Sequence, residues 1–305
     1  MTTMSNRRRA LTAGASILAL GLVAACTNDG GANGEGDATA TGGTTTLQAA
    51  QSAGSITVGF AGEAPYSFED ENGELTGATV ALHREIFAEL GIPEINGQQA
   101  EFGQLIPGLT AGRFDVISAG MSILPARCEQ AAFSEPEFMY TTALMVPEGN
   151  PEGLTDLSSA VEADGLTIAT MSGAIETDYA ESLGLDSMQV GGPQDGMDAV
   201  AGGRADAFAL TGISLNWMAD NNPGSGVEVT ESFVQEIDGV PQVGAGGTVF
   251  RQDDGDLLEA YNEVLAEIVA DEERYLSIVG EFGFTAEERP TGDLTTADLC
   301  AGDIE

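Results

Sequence analysis

The sequence predicts an α/β protein of two lobes joined by two chain crossings. Three observations carry that prediction. Short apolar strand-like runs alternate with stretches of helical periodicity. The alternation stops at a Pro/Gly cluster, Pro147-Glu-Gly-Asn-Pro151, and begins again beyond it. A late run, Gly244-Ala-Gly-Gly-Thr-Val-Phe250, reads as a strand returning to the first lobe. A chain of 305 residues has material for about two domains.

Taken in order, Ser55 to Phe60 reads as a first buried strand, and Asn72-Gly73 as the turn of a hairpin-like loop between Tyr66-Ser-Phe68 and Glu74-Leu75. The acids of that loop (Glu69, Asp70, Glu71) lack the alternating spacing of a calcium loop and read as a solvated turn. Val80, Ile86, Phe87 and Leu90 recur at helical spacing up to Gly91, which places the single histidine, His83, on the polar face. Gln104 to Ala111 is a short helix stopped by Gly112, and Asp115 to Ser118 is the next strand. Pro125 opens another helix at the position proline prefers. Thr141 to Val146 is extended and ends at the Pro/Gly cluster, which reads as the hinge. Beyond it come strand Leu166 to Thr170, helix Gly173 to Leu183, strand Met188 to Val190, helix Pro193 to Ala201 and strand Ala205 to Leu210. Two amphipathic helices, Asp256 to Val269 and Glu272 to Phe282, follow the returning strand. Lobe 1 is therefore expected over 55–147 plus 243–305, and lobe 2 over 148–242. No internal repeat, phosphate-binding loop or metal-ligand spacing is present, so no cofactor is expected.

The chain contains no lysine. Its ten cations are all Arg, against forty-nine Asp and Glu, for a net charge of −39. Such a chain repels nucleic acid and anionic membrane surfaces, which excludes both as partners. Acid excess of this size fits life at high salt, where counterions screen self-repulsion; an Arg-favouring, GC-rich genome is the alternative. A cation kept in such a chain calls for a reason. Arg127 follows a strand, a Gly turn and a Pro, the place where α/β proteins bind anionic groups.

The first 26 residues read as a processing signal. Arg7-Arg8-Arg9 precedes an apolar run from Ala10 to Ala25, which is short for a bilayer span. It ends in Leu22-Val-Ala-Ala-Cys26, which resembles a bacterial lipobox and implies acylation at Cys26. Export by the paired-Arg route is a second possibility. Residues 27–54, rich in Gly, Thr, Ala and Asn, read as a flexible tether. The implied location is extracytoplasmic, at the outer face of the cell membrane through a lipid anchor only. In that oxidising compartment the two remaining cysteines, Cys128 and Cys300, read most simply as one disulfide, with a free thiol pair as the alternative.

Ile56 to Phe60, the Pro65-Tyr66 loop, Gly108-Leu-Thr-Ala-Gly-Arg-Phe-Asp115 and Ser118-Ala-Gly-Met-Ser-Ile-Leu-Pro-Ala-Arg127 together resemble the family 3 extracellular solute-binding proteins of ABC importers. The likeness runs from about Ser55 to Phe284. It implies a two-lobed, type II periplasmic-binding-protein-like fold with the ligand in the cleft between lobes. It also implies a monomer without enzymatic activity, whose partners are a small solute and the permease and ATPase subunits of an importer. Within the family, Glu101-Phe-Gly-Gln-Leu-Ile-Pro-Gly-Leu109, Pro125-Ala-Arg-Cys128 and Leu294-Thr-Thr-Ala-Asp-Leu-Cys300 are most similar to ectoine- and hydroxyectoine-binding proteins, which implies a role in osmoprotection.

That resemblance implies a site. Arg127 would clamp a ligand carboxylate, Glu63 would meet a delocalised cation, and Tyr66 and Phe102 would be aromatic walls. A third wall falls on Ser122, which has no ring. A Gly-Thr pair in lobe 2 falls on Ala174-Ile175, which leaves backbone N–H groups for the carboxylate. Amino-acid binders place an acid for the α-ammonium where this chain has Thr211. That favours a ligand without a primary amine, such as a zwitterionic compatible solute. A polar amino acid held by Glu63 is the second reading. Tyr66 and Phe102 also read as core aromatics, Glu63 as a loop acid, and Trp217 as a packing residue outside the site.

Overall fold

The computed structural model describes residues 44–163 and 165–302. The signal segment, Cys26 and the first part of the expected tether lie outside the described residues.

Strands too apolar to leave one face in water become the centres of two mixed sheets. In the first, Val116–Ser122 and Gly244–Phe250 are buried along their whole length. The order is Glu94–Gln99, Ser55–Phe60, Val116–Ser122, Gly244–Phe250, Ala132–Phe133, and Phe138–Tyr140 also pairs with Gly244–Phe250. The first three strands are parallel, and the returning strand is antiparallel to its neighbours. The second sheet runs Met188–Val190, Ile168–Met171, Ala207–Thr211, Thr142–Pro147, Val227–Val229, and again three parallel strands meet an antiparallel one. Each sheet thus receives one strand from the chain as it crosses. The crossings lie side by side, with Tyr140 paired to Gly244 and Thr142 bridged to Phe233.

Three expectations are corrected. Thr142–Pro147, assigned from sequence to lobe 1, belongs to the second sheet. The chain therefore crosses beside Thr141, and the Pro147 cluster is a turn within lobe 2, where the Glu148 N–H donates to Gly226 O at 3.0 Å. The tether does not reach residue 54, because Thr46–Ala53 is a helix. Thr45 caps its start, Gly54 closes it in the left-handed conformation, and Ala50 is buried against lobe 1. Leu, Ala and Gln favour that helix once the Gly/Thr-rich composition ends. His83 is fully buried rather than surface, with Nε2 2.6 Å from Thr248 Oγ1 and its ring beside Phe87 and Tyr261. Helix Ala78–Glu89 is covered by helices Gly255–Ala270 and Glu272–Val279 as well as by the sheet, so its buried face is wider than one apolar stripe. Burial without a charge partner pushes the His83 pKa down to about 3.

The sulfurs of Cys128 and Cys300 are bonded, with Cα atoms 5.7 Å apart. The bond fastens helix Thr296–Ala301 to the turn Pro125–Cys128 that carries Arg127. Among the described residues no helix is long and apolar enough to cross a membrane.

Candidate functional site

Parallel strands end at one edge of each sheet, and the loops leaving those ends converge on a small cavity between the sheets. Its walls are Glu63, Tyr66, Phe102, Ala119, Gly120, Ser122 and Tyr140 from the first lobe, with Met171, Ala174, Ile175, Glu176, Leu210 and Thr211 from the second. The space left between these walls is only about 20 Å³, so the lobes stand closed on one another here. Six of the seven ligand-site residues expected from sequence therefore line one cavity, and Arg127 stands directly behind its wall. A larger, open depression at the rim, lined by Gln99, Glu101, Gly191 and Asp195 among others, offers acids but no cation.

Arg127 is buried on the turn that Pro125 begins. Its Nη1 donates to Ser122 O and its Nη2 to Gly173 O, each at 2.8 Å, so the guanidinium ties the end of a first-lobe strand to the second lobe. Its Cζ lies 5.6 Å from the centroid of the Phe102 ring, a cation–π contact. Among the described residues no carboxylate comes within ion-pairing distance of it. A buried, unpaired guanidinium favours an anion.

The acid side is built differently. Glu63 follows the strand Ser55–Phe60 and accepts a hydrogen bond from Ser214 Oγ of the second lobe at 2.7 Å. Glu176 lies in the first turn of helix Ile175–Ser182, and Thr142 Oγ1 donates to its Oε1 at 3.5 Å. Burial pushes both carboxyls up to about 7. Repulsion from Glu176 adds to the shift of Glu63, and the Ser214 bond opposes it. Two buried hydroxyls on the wall, Tyr66 Oη and Thr211 Oγ1, have no hydrogen-bond partner. Such groups are costly to bury unless something bonds them.

A third aromatic ring enters the cavity from the first crossing. Tyr140, at the first crossing, hydrogen-bonds through Oη to Ser122 Oγ and puts its ring into the same cavity. Tyr66 packs edge-on against Phe138, Tyr140 and Phe284. That packing needs Gly120, whose φ is +53° and where a Cβ would meet the Tyr66 ring at 2.4 Å. Gly103 and Gly173 bring the two lobes' backbones together beside Phe102, and a Cβ on Gly173 would meet Gly103 Cα at 3.0 Å.

Sequence reasoning missed Tyr140, Glu176 and Ser214. Glu176 had one readable signal, its place three residues beyond Gly173 at a helix start. Trp217 lies outside the cavity, with its ring 6.0 Å from that of Phe68.

Comparison with known proteins gives a consistent picture. The profile of the bacterial extracellular solute-binding proteins, family 3, matches residues 56–277. A protein of Sinorhizobium fredii described as a probable amino-acid ABC transporter periplasmic-binding protein is 34% identical over 266 residues, covering 85% of this chain and 87% of its own. The lysine/arginine/ornithine-binding periplasmic protein of Escherichia coli is 25% identical over 225 residues, covering 68% of this chain and 79% of its own. Among solved structures, EhuB in complex with hydroxyectoine superposes with a TM-score of 0.75 at 29% identity, covering 84% of this chain and 97% of that one. An ancestral arginine-binding protein bound to arginine gives 0.66 at 26% identity, covering 75% and 98%.

Proposed function

This chain belongs to the bacterial extracellular solute-binding proteins of family 3, the ligand-capturing components of ABC importers, and from that premise we propose that its cleft takes ectoine, hydroxyectoine or a similar zwitterionic compatible solute. The observation that carries the reading is a buried guanidinium with no carboxylate paired to it, facing a buried carboxylate across an aromatic-walled cavity. The chemistry of these walls matches a small ring bearing one anion and one delocalised cation, which the lobes would part to admit. Arg127 would receive the solute carboxylate, exchanging its carbonyl contacts for it. Backbone N–H groups at Ala174 and Ile175, at the start of a helix, would assist. Tyr66, Phe102 and Tyr140 would enclose the ring, and Glu63 would meet the cation. Ser122 contributes by holding Tyr140. The likeness to the hydroxyectoine-bound structure supports this reading.

The proposal extends to anchoring at Cys26, with the folded part acting as a monomer that delivers solute to a permease and its ATPase. Cys26→Ser should move the protein from the membrane fraction into the soluble one.

The direct test of the site is Arg127→Ala, assayed by calorimetry with hydroxyectoine. Binding should fall below detection while the fold persists, because leaving a buried carboxylate unpaired costs about 3–5 kcal/mol. Micromolar binding by that variant would reject the site. Glu176 favours a second reading, a polar amino acid. Two carboxylates against one guanidinium complement a ligand of net charge +1, and the relatives include binders of lysine, arginine and ornithine.

A further inference from the structure

The cavity holds one carboxylate more than a zwitterion needs. Arg127 balances the solute's carboxylate and Glu63 its cation, which closes the charge count without Glu176. An ionised Glu176 would stand as an uncompensated buried anion, the arrangement proteins avoid most strongly. Its place in the chain sharpens the problem. Glu176 follows Gly173, Ala174 and Ile175, and Gly173 is where Arg127 reaches into the second lobe. It therefore sits toward the anionic end of the site, where a negative charge repels the solute's carboxylate and an O–H donor attracts it. Side-chain hydrogen bonding separates the two acids in the same sense. Glu63 accepts a 2.7 Å bond from Ser214 Oγ, whereas the Thr142 contact to Glu176 is 3.5 Å, at the limit of a bond, and its other support is a backbone N–H at the helix start.

We infer that Glu176 works as a neutral carboxylic acid that donates its O–H to an oxygen of the bound zwitterion, so that solute capture is gated by a proton on this side chain. The inference rests on the zwitterion reading of the site. The charged and titratable groups facing Glu176 are Arg127 and Glu63 from the first lobe, Tyr140 at the crossing, and Asp178 and Tyr179 on its own helix. Of these groups Arg127 alone favours ionisation, beside a backbone N–H at the helix start and the Thr142 hydroxyl, and in the complex its charge is taken by the solute. The tyrosines are all pushed up by burial, so none titrates in the working range. The raised pKa of Glu176, about 7, puts the gate near neutrality.

The consequence is a bell-shaped dependence of affinity on pH. Glu63 must lose its proton to meet the cation, so affinity rises with pH on the acid side. Glu176 must keep its proton, so affinity falls on the alkaline side, approaching about tenfold per pH unit by linkage. Calorimetry with hydroxyectoine from pH 5.5 to 9 tests this in the wild type and in Glu176→Gln, which mimics the neutral acid. The variant should keep the acid limb and lose the alkaline one, so that its affinity exceeds the wild type's by a widening factor above neutrality. A wild-type affinity that is flat or rising above pH 7, or an alkaline limb unchanged in Glu176→Gln, overturns the inference while leaving the solute reading intact. Absence of wild-type binding at every pH, with a response to L-arginine instead, overturns the zwitterion reading and this inference together.

Discussion

The two ends of the cavity are stabilised in opposite ways. At the Arg127 end the group is held in place. Two backbone carbonyls accept from the guanidinium, the Phe102 ring lies over it, and the Cys128–Cys300 bond holds its turn against the C-terminal helix. Away from Arg127's own contacts the groups are held against their preference. Glu63, and Glu176 between it and Arg127, are buried with raised pKa values, and two hydroxyls lack partners. One end is preorganised and the other stores an electrostatic cost that a cation relieves. Under the proposed reading, recognition of the anion would depend on geometry and recognition of the cation on desolvation.

The largest break in this comparison should come from the covalent side. Cys128→Ala should lower stability by about 2–5 kcal/mol, since the bond closes a very long loop. A fall in the thermal midpoint, with weaker binding of hydroxyectoine, would show that the clamp is held by that bond; unchanged affinity would place the preorganisation in the carbonyl contacts alone.

The acid end makes a pH prediction of next rank. For the ligand-free protein, both carboxyls titrate higher when folded than when unfolded, so the native state binds more protons between about 4.5 and 7. The stability they contribute is fully present below about pH 4.5 and is lost as pH rises through 7, at about 3 kcal/mol per group by linkage. Glu63→Gln should remove roughly half of that dependence in urea unfolding followed from pH 4.5 to 8. A slope unaltered in the variant would show that Glu63 is solvated in the ligand-free protein.

The smallest expected effect lies between the two ends. Gly120→Ala should cost about 1–3 kcal/mol by driving a Cβ into the Tyr66 ring from a left-handed backbone position. Because Tyr66 is the shared wall, the loss of hydroxyectoine affinity should exceed the loss of stability; equal losses would make Gly120 a packing residue only.

Legibility from sequence followed the range of the interaction involved. Glu63, Tyr66, Phe102, Ser122, Ala174 and Ile175 lie in contiguous motifs at strand ends, and they meet in one cavity. Tyr140 was invisible as a wall because it reaches Ser122 across a crossing between sheets. Glu176 looked like any of forty-nine acids, since only burial singles it out. His83 was misjudged because periodicity detects one buried face, and a second layer of helices covers the other. Thr142–Pro147 was misassigned because a Pro/Gly cluster signals a turn without saying which sheet the preceding strand joins.

Local chemistry in the sequence determined the strand–helix alternation, the two-lobed plan, the proline-started turn bearing Arg127 and the cysteines that could brace it. Those features depend on neighbours within a few residues or on residue type alone. Tertiary structure decided which strand crosses into which sheet, that Tyr140 lines the cavity beside Ser122, and that Glu63 and Glu176 share one desolvated space. Burial and charge proximity are properties of distant segments brought together, and a carboxylate's pKa registers them only after folding has removed the water.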